Sequence, residues 1–320
     1  MLRQDERFFS TQGISPLPPD ALALVKPVDC FEVPPQKPIH LTPMQAKDQG
    51  LRKIAYPVSL GWWDRRLESP QFLAREPVES NANVKLVYNL LRDTPGALVD
   101  VGANVGFMTN LGLELRRRVY AVEPIQYNVA KICEAYRSPY FDLHREHQLL
   151  QLYQAVAGRS FKQELSVTRP ATHIGYFDQT SLSRNNVQHP DVEEEFVPMV
   201  SLDSILFTSE DEKATALEPI AMVKIDVQGH EYTVLVGMHR LLLQARDVGY
   251  PKYVLYASDQ QMLRQSGHTS ERTIELVESY GYQCMYTTKE QVKVLCVLGG
   301  PSREDEKDGI FQFFGPEKGQ

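Results

Sequence analysis

The chain has 320 residues, 42% of them hydrophobic and 23% charged, the balance of a soluble globular protein with a sizeable buried core. Its formal net charge of -7 gives no general basic field, which excludes a protein whose main task is gripping nucleic-acid phosphates. No apolar run approaches the ~20 residues that span a bilayer, and the acidic pair Asp5-Glu6 near the start argues against a secretory or mitochondrial leader.

Three segments are expected: an extended proline-rich arm over 1–80, a core domain over 81–300 and a tail over 301–320. The first 50 or so residues hold eight of the 21 prolines. Each removes a backbone donor and restricts its predecessor, so the arm is extended, either docked or disordered. Trp62 and Trp63 read as an aromatic anchor or a lid. The phenylalanines of the tail, Phe311, Phe313 and Phe314, suggest docking, so the arm and tail are candidate contacts for a protein partner.

From residue 83 the pattern becomes regular. Residues 83–91 have apolar side chains at helical spacing, 97–101 and 119–122 read as strands, and 107–115 and 125–136 as helices. A third strand is predicted over 152–156. Between 159 and 219 the periodicity breaks, with strand-like runs at 163–168 and 196–202 flanking a polar loop, 172–191, placed to cover a pocket. The acidic runs 193–195 and 210–212 and the basic run 116–118 read as solvated surface. Strand 220–225, helix 232–243, strand 253–257 and helix 270–280 follow, and 283–287 with 292–298 form a hairpin. This order predicts an α/β, doubly wound, seven-stranded sheet with six parallel strands and one antiparallel.

The four cysteines, Cys30, Cys133, Cys284 and Cys296, show neither CxxC spacing nor a dense framework. Free thiols in a reducing compartment follow, hence a cytoplasmic protein, or an organelle-matrix one if a leader has been removed. His173, His189 and the other histidines lack ligand spacing with carboxylates, so no metal is expected.

Ligands of doubly wound sheets sit at the carboxyl ends of the strands. There the first strand runs from Asp100 into Gly102-Ala103-Asn104-Val105-Gly106. This GxxxG lacks the GxGxxG spacing of pyrophosphate-binding loops, which makes a nicotinamide-dependent oxidoreductase a distant reading. Small residues let the backbone approach a bulky ligand, and Asp100 offers a carboxylate to a cationic group. Glu123, ending the second strand, is placed to accept from both hydroxyls of a ribose. A nucleoside joined to a cationic amino acid fits both: S-adenosyl-L-methionine.

The runs VDVGANVGFMT, AVEP, AVAG, SLDSI and VKIDVQGHEYTVLVGM, in that order over residues 83–298, closely resemble the FkbM-type S-adenosylmethionine-dependent methyltransferases. The resemblance implies a seven-stranded methyltransferase sheet in the 81–300 domain and methyl transfer to a hydroxyl of a small molecule or glycan. By motif, Asp100, Gly102, Ala103, Asn104 and Gly106 would line the methionine and ribose, Glu123 would hold the ribose hydroxyls, and Gln154 and Ala155 would border the adenine. Methyl transfer from a sulfonium needs an aligned oxygen and a route for its proton. Asp226, His230 and Glu231, following the fourth strand, are the candidates, against which stand ordinary capping and dipole roles. By the resemblance, family members commonly carry a glutamate at the end of the fifth strand, where this chain reads Tyr253 to Asp259 without one. That departure supports an alternative: a catalytically degenerate methyltransferase fold serving as a structural subunit or assembly factor.

Overall fold

The computed structural model describes residues 25–34, 42–43, 55–56, 82–137, 148–159, 162–170, 192–207, 216–287 and 293–301. Most of the arm with its tryptophan pair, the loop 172–191, the acidic run 210–212 and nearly all of the tail lie outside them.

The core domain begins with α1 (Ala82–Asp93), β1 (Ala97–Val101), α2 (Phe107–Glu114), β2 (Val119–Val122), α3 (Gln126–Tyr136) and β3 (Leu150–Tyr153). A smaller unit follows: β4 (Val156–Ala157), β5 (Lys162–Pro170), β6 (Val192–Val200) and the short helix α4 (Leu202–Leu206). The chain then returns to the main sheet with β7 (Ile220–Ile225), α5 (Glu231–Val236), α6 (His239–Val248) and β8 (Tyr253–Ala257). It ends with α7 (Gln260–Gln265), α8 (Ser270–Ser279), β9 (Tyr282–Tyr286) and β10 (Lys293–Leu298).

Seven strands form one sheet in the order β9-β10-β8-β7-β1-β2-β3. Only β10 runs against its neighbours, so six strands point one way and one the other, as the hairpin pattern predicts. Every residue of β1 and β7 is buried, because helices cover both faces. Alternate residues serve different cores. Val99 and Val101 pack with Val223, Ile225 and the α5/α6 residues Val234, Leu235 and Leu242. Leu98 packs the other way, onto Val87, Leu90 and Leu91 of α1 and Ile132 of α3. Among the described residues no helix is long and apolar enough to cross a membrane.

A second sheet, ordered β4-β6-β5, was not expected as a separate unit. It moves the third strand: β3 stops at Tyr153, and Val156–Ala157 pair with β6 instead. Glu195 of β6 accepts from the backbone N–H of Gln126 at 2.7 Å, so one member of the acidic run caps α3. The basic run is also engaged: Arg117 donates to the Leu91 carbonyl at 2.7 Å and Arg118 pairs with Glu218 at 2.8 Å.

The helix predicted over 232–243 is two helices, α5 and α6, broken at Gly237. A Cβ on Gly237 would lie 1.8 Å from the Gly158 carbonyl oxygen, so this backbone-to-backbone approach admits only glycine. The Gly237 carbonyl accepts from Asp203 N–H at 3.1 Å. The Asp203 carboxylate in turn caps α6 through the N–H groups of Arg240 and Leu241, at 2.8 and 3.0 Å. Burial pushes this carboxyl up to about 7 against those two hydrogen bonds. The runs AVAG, SLDSI and VLVGM therefore meet as the joint between the two sheets.

The free-thiol expectation is overturned. Cys30 is bonded to Cys133 and Cys284 to Cys296, and no cysteine is left free. The first bridge fixes the segment 25–34 against α3, where Arg137 also donates to the Cys30 and Val33 carbonyls at 2.9 and 2.6 Å and Val28 N–H bonds to Leu152 O. The second joins directly opposed positions of the β9–β10 hairpin. A separation of 103 residues carries no signal in the sequence, whereas the hairpin register, once drawn, does. The reason for a reducing compartment falls with the thiols. Protein denatured without reductant is expected to alkylate at no cysteine, and after reduction at all four. Cys30→Ser should cost about 3–5 kcal/mol through the freed loop. Labelling before reduction would refute the pairing.

Candidate functional site

Strand order reverses between β1 and β7: the chain leaves β1 toward β2 and β3, then returns to β7 and β8. A crevice opens at such a switch point, at the carboxyl ends of the two strands. Both stretches singled out in the sequence, 102–106 and 226–231, begin there.

The two loops touch through their backbones. Asp226 N–H donates to Val101 O at 3.0 Å, and the N–H groups of Gly102 and Ala103 both reach Val122 O, at 2.9 and 3.2 Å. Gly102 has φ +71°, and a Cβ there would lie 1.9 Å from the Asp226 carbonyl oxygen. Asn104 and Gly106 also have positive φ, 52° and 90°, so the turn folds back tightly before α2 starts at Phe107.

Glu123 closes this turn from the next strand. One carboxylate oxygen accepts from Asn104 N–H at 2.8 Å, the other from Ile125 N–H at 3.1 Å and the Asn128 side-chain amide at 2.9 Å. The residue is only 4% exposed. Burial pushes its carboxyl up to about 7, against the pull of Asn128, Ile125, Asn104 and Lys224. Asn104 Oδ1 is buried and accepts no hydrogen bond among the described residues.

Asp100 is fully buried and turned inward. Its carboxylate accepts from the Thr109 hydroxyl of α2 at 2.7 Å and pairs with the Lys224 ammonium at 3.0 Å. Asp100 and Lys224 are register partners on β1 and β7. Burial draws the lysine pKa down, and the Asp100 and Asp226 carboxylates outweigh it, so the net direction is up.

Asp226 is half-buried and pairs with Lys293, the first residue of β10, at 3.1 Å. Burial alone would raise its carboxyl, but Lys293 and Lys224 hold it below the ordinary aspartate value. Lys293 went unnoticed in the sequence because the antiparallel strand brings it in from far along the chain. Glu231 is buried, and one of its oxygens accepts from Val227 N–H at 3.0 Å and Gly229 N–H at 3.3 Å. It braces the turn, in which Gln228 and Gly229 have φ of 55° and 99°. Burial pushes it up to about 7, against its backbone hydrogen bonds. His230 faces Ser266 at 3.4 Å, and burial together with His268 pulls its imidazole down to about 4.

Gln154 is half-buried just past β3, whereas Ala155 points into the core. At the end of β8, Ser258 is buried in a hydroxyl chain with Ser270 and Tyr286. Asp259 caps α7 by accepting from Met262 N–H at 2.9 Å. Among the described residues no cluster of three or more histidine, cysteine or carboxylate side chains is arranged to hold a metal.

No curated protein matches the chain. Among solved structures, the methyltransferase FkbM from Methylobacillus flagellatus KT aligns at 15% identity and a TM-score of 0.41, over 71% of this chain and 52% of that one. This chain thus spans about half the length of that protein. The methyltransferase domain of bacterial CtHen1-C aligns at 9% identity and a TM-score of 0.35, over 69% of this chain and 98% of that one. Magnesium protoporphyrin IX methyltransferase from Synechocystis PCC 6803, solved with bound SAH, aligns at 11% and 0.28, over 68% and 79%. The pattern of the methyltransferase FkbM domain matches residues 100–284. That match starts at the buried aspartate of β1, takes in both loops of the switch point and covers more than half of the sequence: the chain belongs to the FkbM methyltransferase family.

Proposed function

We propose that this chain transfers a methyl group from S-adenosyl-L-methionine to a hydroxyl of a small molecule or glycan. The observation that carries the reading is the closed turn 102–106, held by Glu123 on one side and facing Asp226 across the switch point. The residues fit the donor. Asn104 Oδ1 is a buried acceptor without a donor, and Glu123, a carboxylate with about four lone-pair sites, has three occupied. Gly102, Ala103 and Gly106 offer close backbone, Glu123 the ribose contact, and Gln154 the adenine border, with Ala155 contributing main chain only. Asp100 supports the turn from beneath.

When bound, the donor supplies an electrophilic methyl on sulfur. The work left to the protein is alignment and proton removal. Asp226, kept ionised by two lysines, orients the acceptor hydroxyl. The proton passes to the ionised Asp226 itself or to His230, which burial leaves unprotonated above about pH 4 but also makes a weak base, while Glu231 shapes the turn between them. The two disulfides favour an oxidising compartment over the cytoplasm. Titration with S-adenosyl-L-homocysteine should give a micromolar dissociation constant, about -8 kcal/mol, and raise the melting temperature. Absence of both heat and shift would remove the proposal.

One observation favours the alternative of a degenerate, structural subunit. The end of β8 presents the buried Ser258 and the capping Asp259, where the resemblance to FkbM-type enzymes leads to the expectation of a glutamate. Donor binding separates the two, since a purely structural chain has no use for it.

A further inference from the structure

We propose that Lys224 is a positioning residue for the methyl donor: from its place beside Asp100 it holds the carbonyls that shape the donor turn. The inference rests on the donor reading above and assigns a part of that site to a residue that need not touch the ligand.

The ammonium donates to Gly102 O at 2.8 Å and approaches Val101 O at 3.4 Å, while its charge meets Asp100 at 3.0 Å. It thus ties β7 to the first residue of the turn, next to the point where the Gly102 backbone lies too close to the Asp226 carbonyl to admit a Cβ. Stability does not demand such a pair. Replacing a buried ion pair by well-packed hydrophobic side chains of similar volume is often neutral or stabilising, because desolvation offsets the attraction. What an apolar side chain at position 224 cannot do is donate to the loop carbonyls. Lys224 is also the cation shared by Asp100, Asp226 and Glu123, three carboxylates that end three adjacent strands. Its charge therefore reaches Glu123, the ribose partner, without contact.

The test uses the full chain, with S-adenosyl-L-homocysteine as the probe. Asp100→Asn combined with Lys224→Met removes both charges at nearly constant shape, and the asparagine oxygen can still accept from Thr109. The double variant should melt within a few degrees of wild type yet bind the probe at least ~10-fold more weakly, with the pH midpoint of binding shifted upward. A purely structural pair would leave that midpoint in place. Independently, in the wild-type protein the Lys224 15Nζ resonance, assigned by its loss in Lys224→Arg, should move on probe addition. That measurement holds even if the double variant fails to fold. Wild-type affinity with an unchanged midpoint in the double variant, or an unmoved resonance, overturns the inference while the donor reading survives. A wild-type chain that binds no probe overturns both.

Discussion

Gly102→Ala is expected to weaken binding of S-adenosyl-L-homocysteine by ~100-fold or more and to cost about 2–4 kcal/mol of stability. Two causes act together. At φ +71° an alanine is strained, and its Cβ would stand 1.9 Å from the Asp226 carbonyl oxygen and 2.9 Å from the carbonyl carbon. Backbone on both sides leaves no rotamer to turn aside. Relief requires the turn and the end of β7 to part by more than 1 Å, which breaks the Asp226 N–H to Val101 O bond and the Lys224 contact with Gly102 O. A displacement of that size in a positioning loop is enough to cost ~100-fold in function. Gly106→Ala calibrates the experiment. Its Cβ would meet Ile132 Cγ1 at 2.9 Å, a side-chain atom able to yield, so this variant should lose less stability and less affinity. Calorimetric titration and thermal melts of both variants decide the matter; a Gly102→Ala protein that binds like wild type would show that the turn is not the donor site.

The sheet was legible because its strands carry continuous apolar runs bounded by turn residues. Residues 97–101, 119–122, 220–225 and 253–257 coincide with β1, β2, β7 and β8. Its one antiparallel member was legible because a short polar turn permits only a hairpin. What failed were boundaries set by tertiary contact. Val234, Leu235, Met238, Leu241 and Leu242 keep helical spacing straight through Gly237, so nothing local marks the break that Gly158 imposes from another sheet. Gln154 and Ala155 looked like strand because they link β3 and β4, which lie almost end to end yet belong to different sheets.

The site divides in the same way. Gly102 and Glu123 could be picked out because they sit at strand ends, where backbone geometry restricts the residue type. Partnerships across strands could not. Lys224 facing Asp100 needs the register of β1 and β7, Lys293 reaching Asp226 needs the antiparallel strand, and the bracing of Val227 and Gly229 by Glu231 needs the turn itself.

Donor binding should take up its largest pH dependence from Glu123. In the folded protein burial raises this carboxyl to about 7 from an ordinary 4.5. A folded-state pKa above the unfolded value means that the native form binds more protons between the two, so stability falls as pH rises from about 4.5 through 7. Asp203 and Glu231, also raised to about 7 by burial, bend the curve the same way. A ribose hydroxyl donating to the lone-pair site of Glu123 that remains open favours its ionised form, so the ligand binds the state that the empty protein resists. Affinity for S-adenosyl-L-homocysteine should therefore drop ~20-fold from pH 7.5 to 5.5. Near pH 6.5 binding should release up to one proton, read from titrations in buffers of differing ionisation enthalpy. Glu123→Gln imitates the protonated carboxyl at every pH. Its affinity should be flat and near the acid limit of wild type, ~10- to 100-fold below wild type at pH 7.5 for lost charge-assisted hydrogen bonds. Its stability should match wild type at pH 5 and lose part of the alkaline decline, because the buried charge is gone. A wild-type affinity independent of pH, with no proton released, would mean that the ribose does not lie on Glu123.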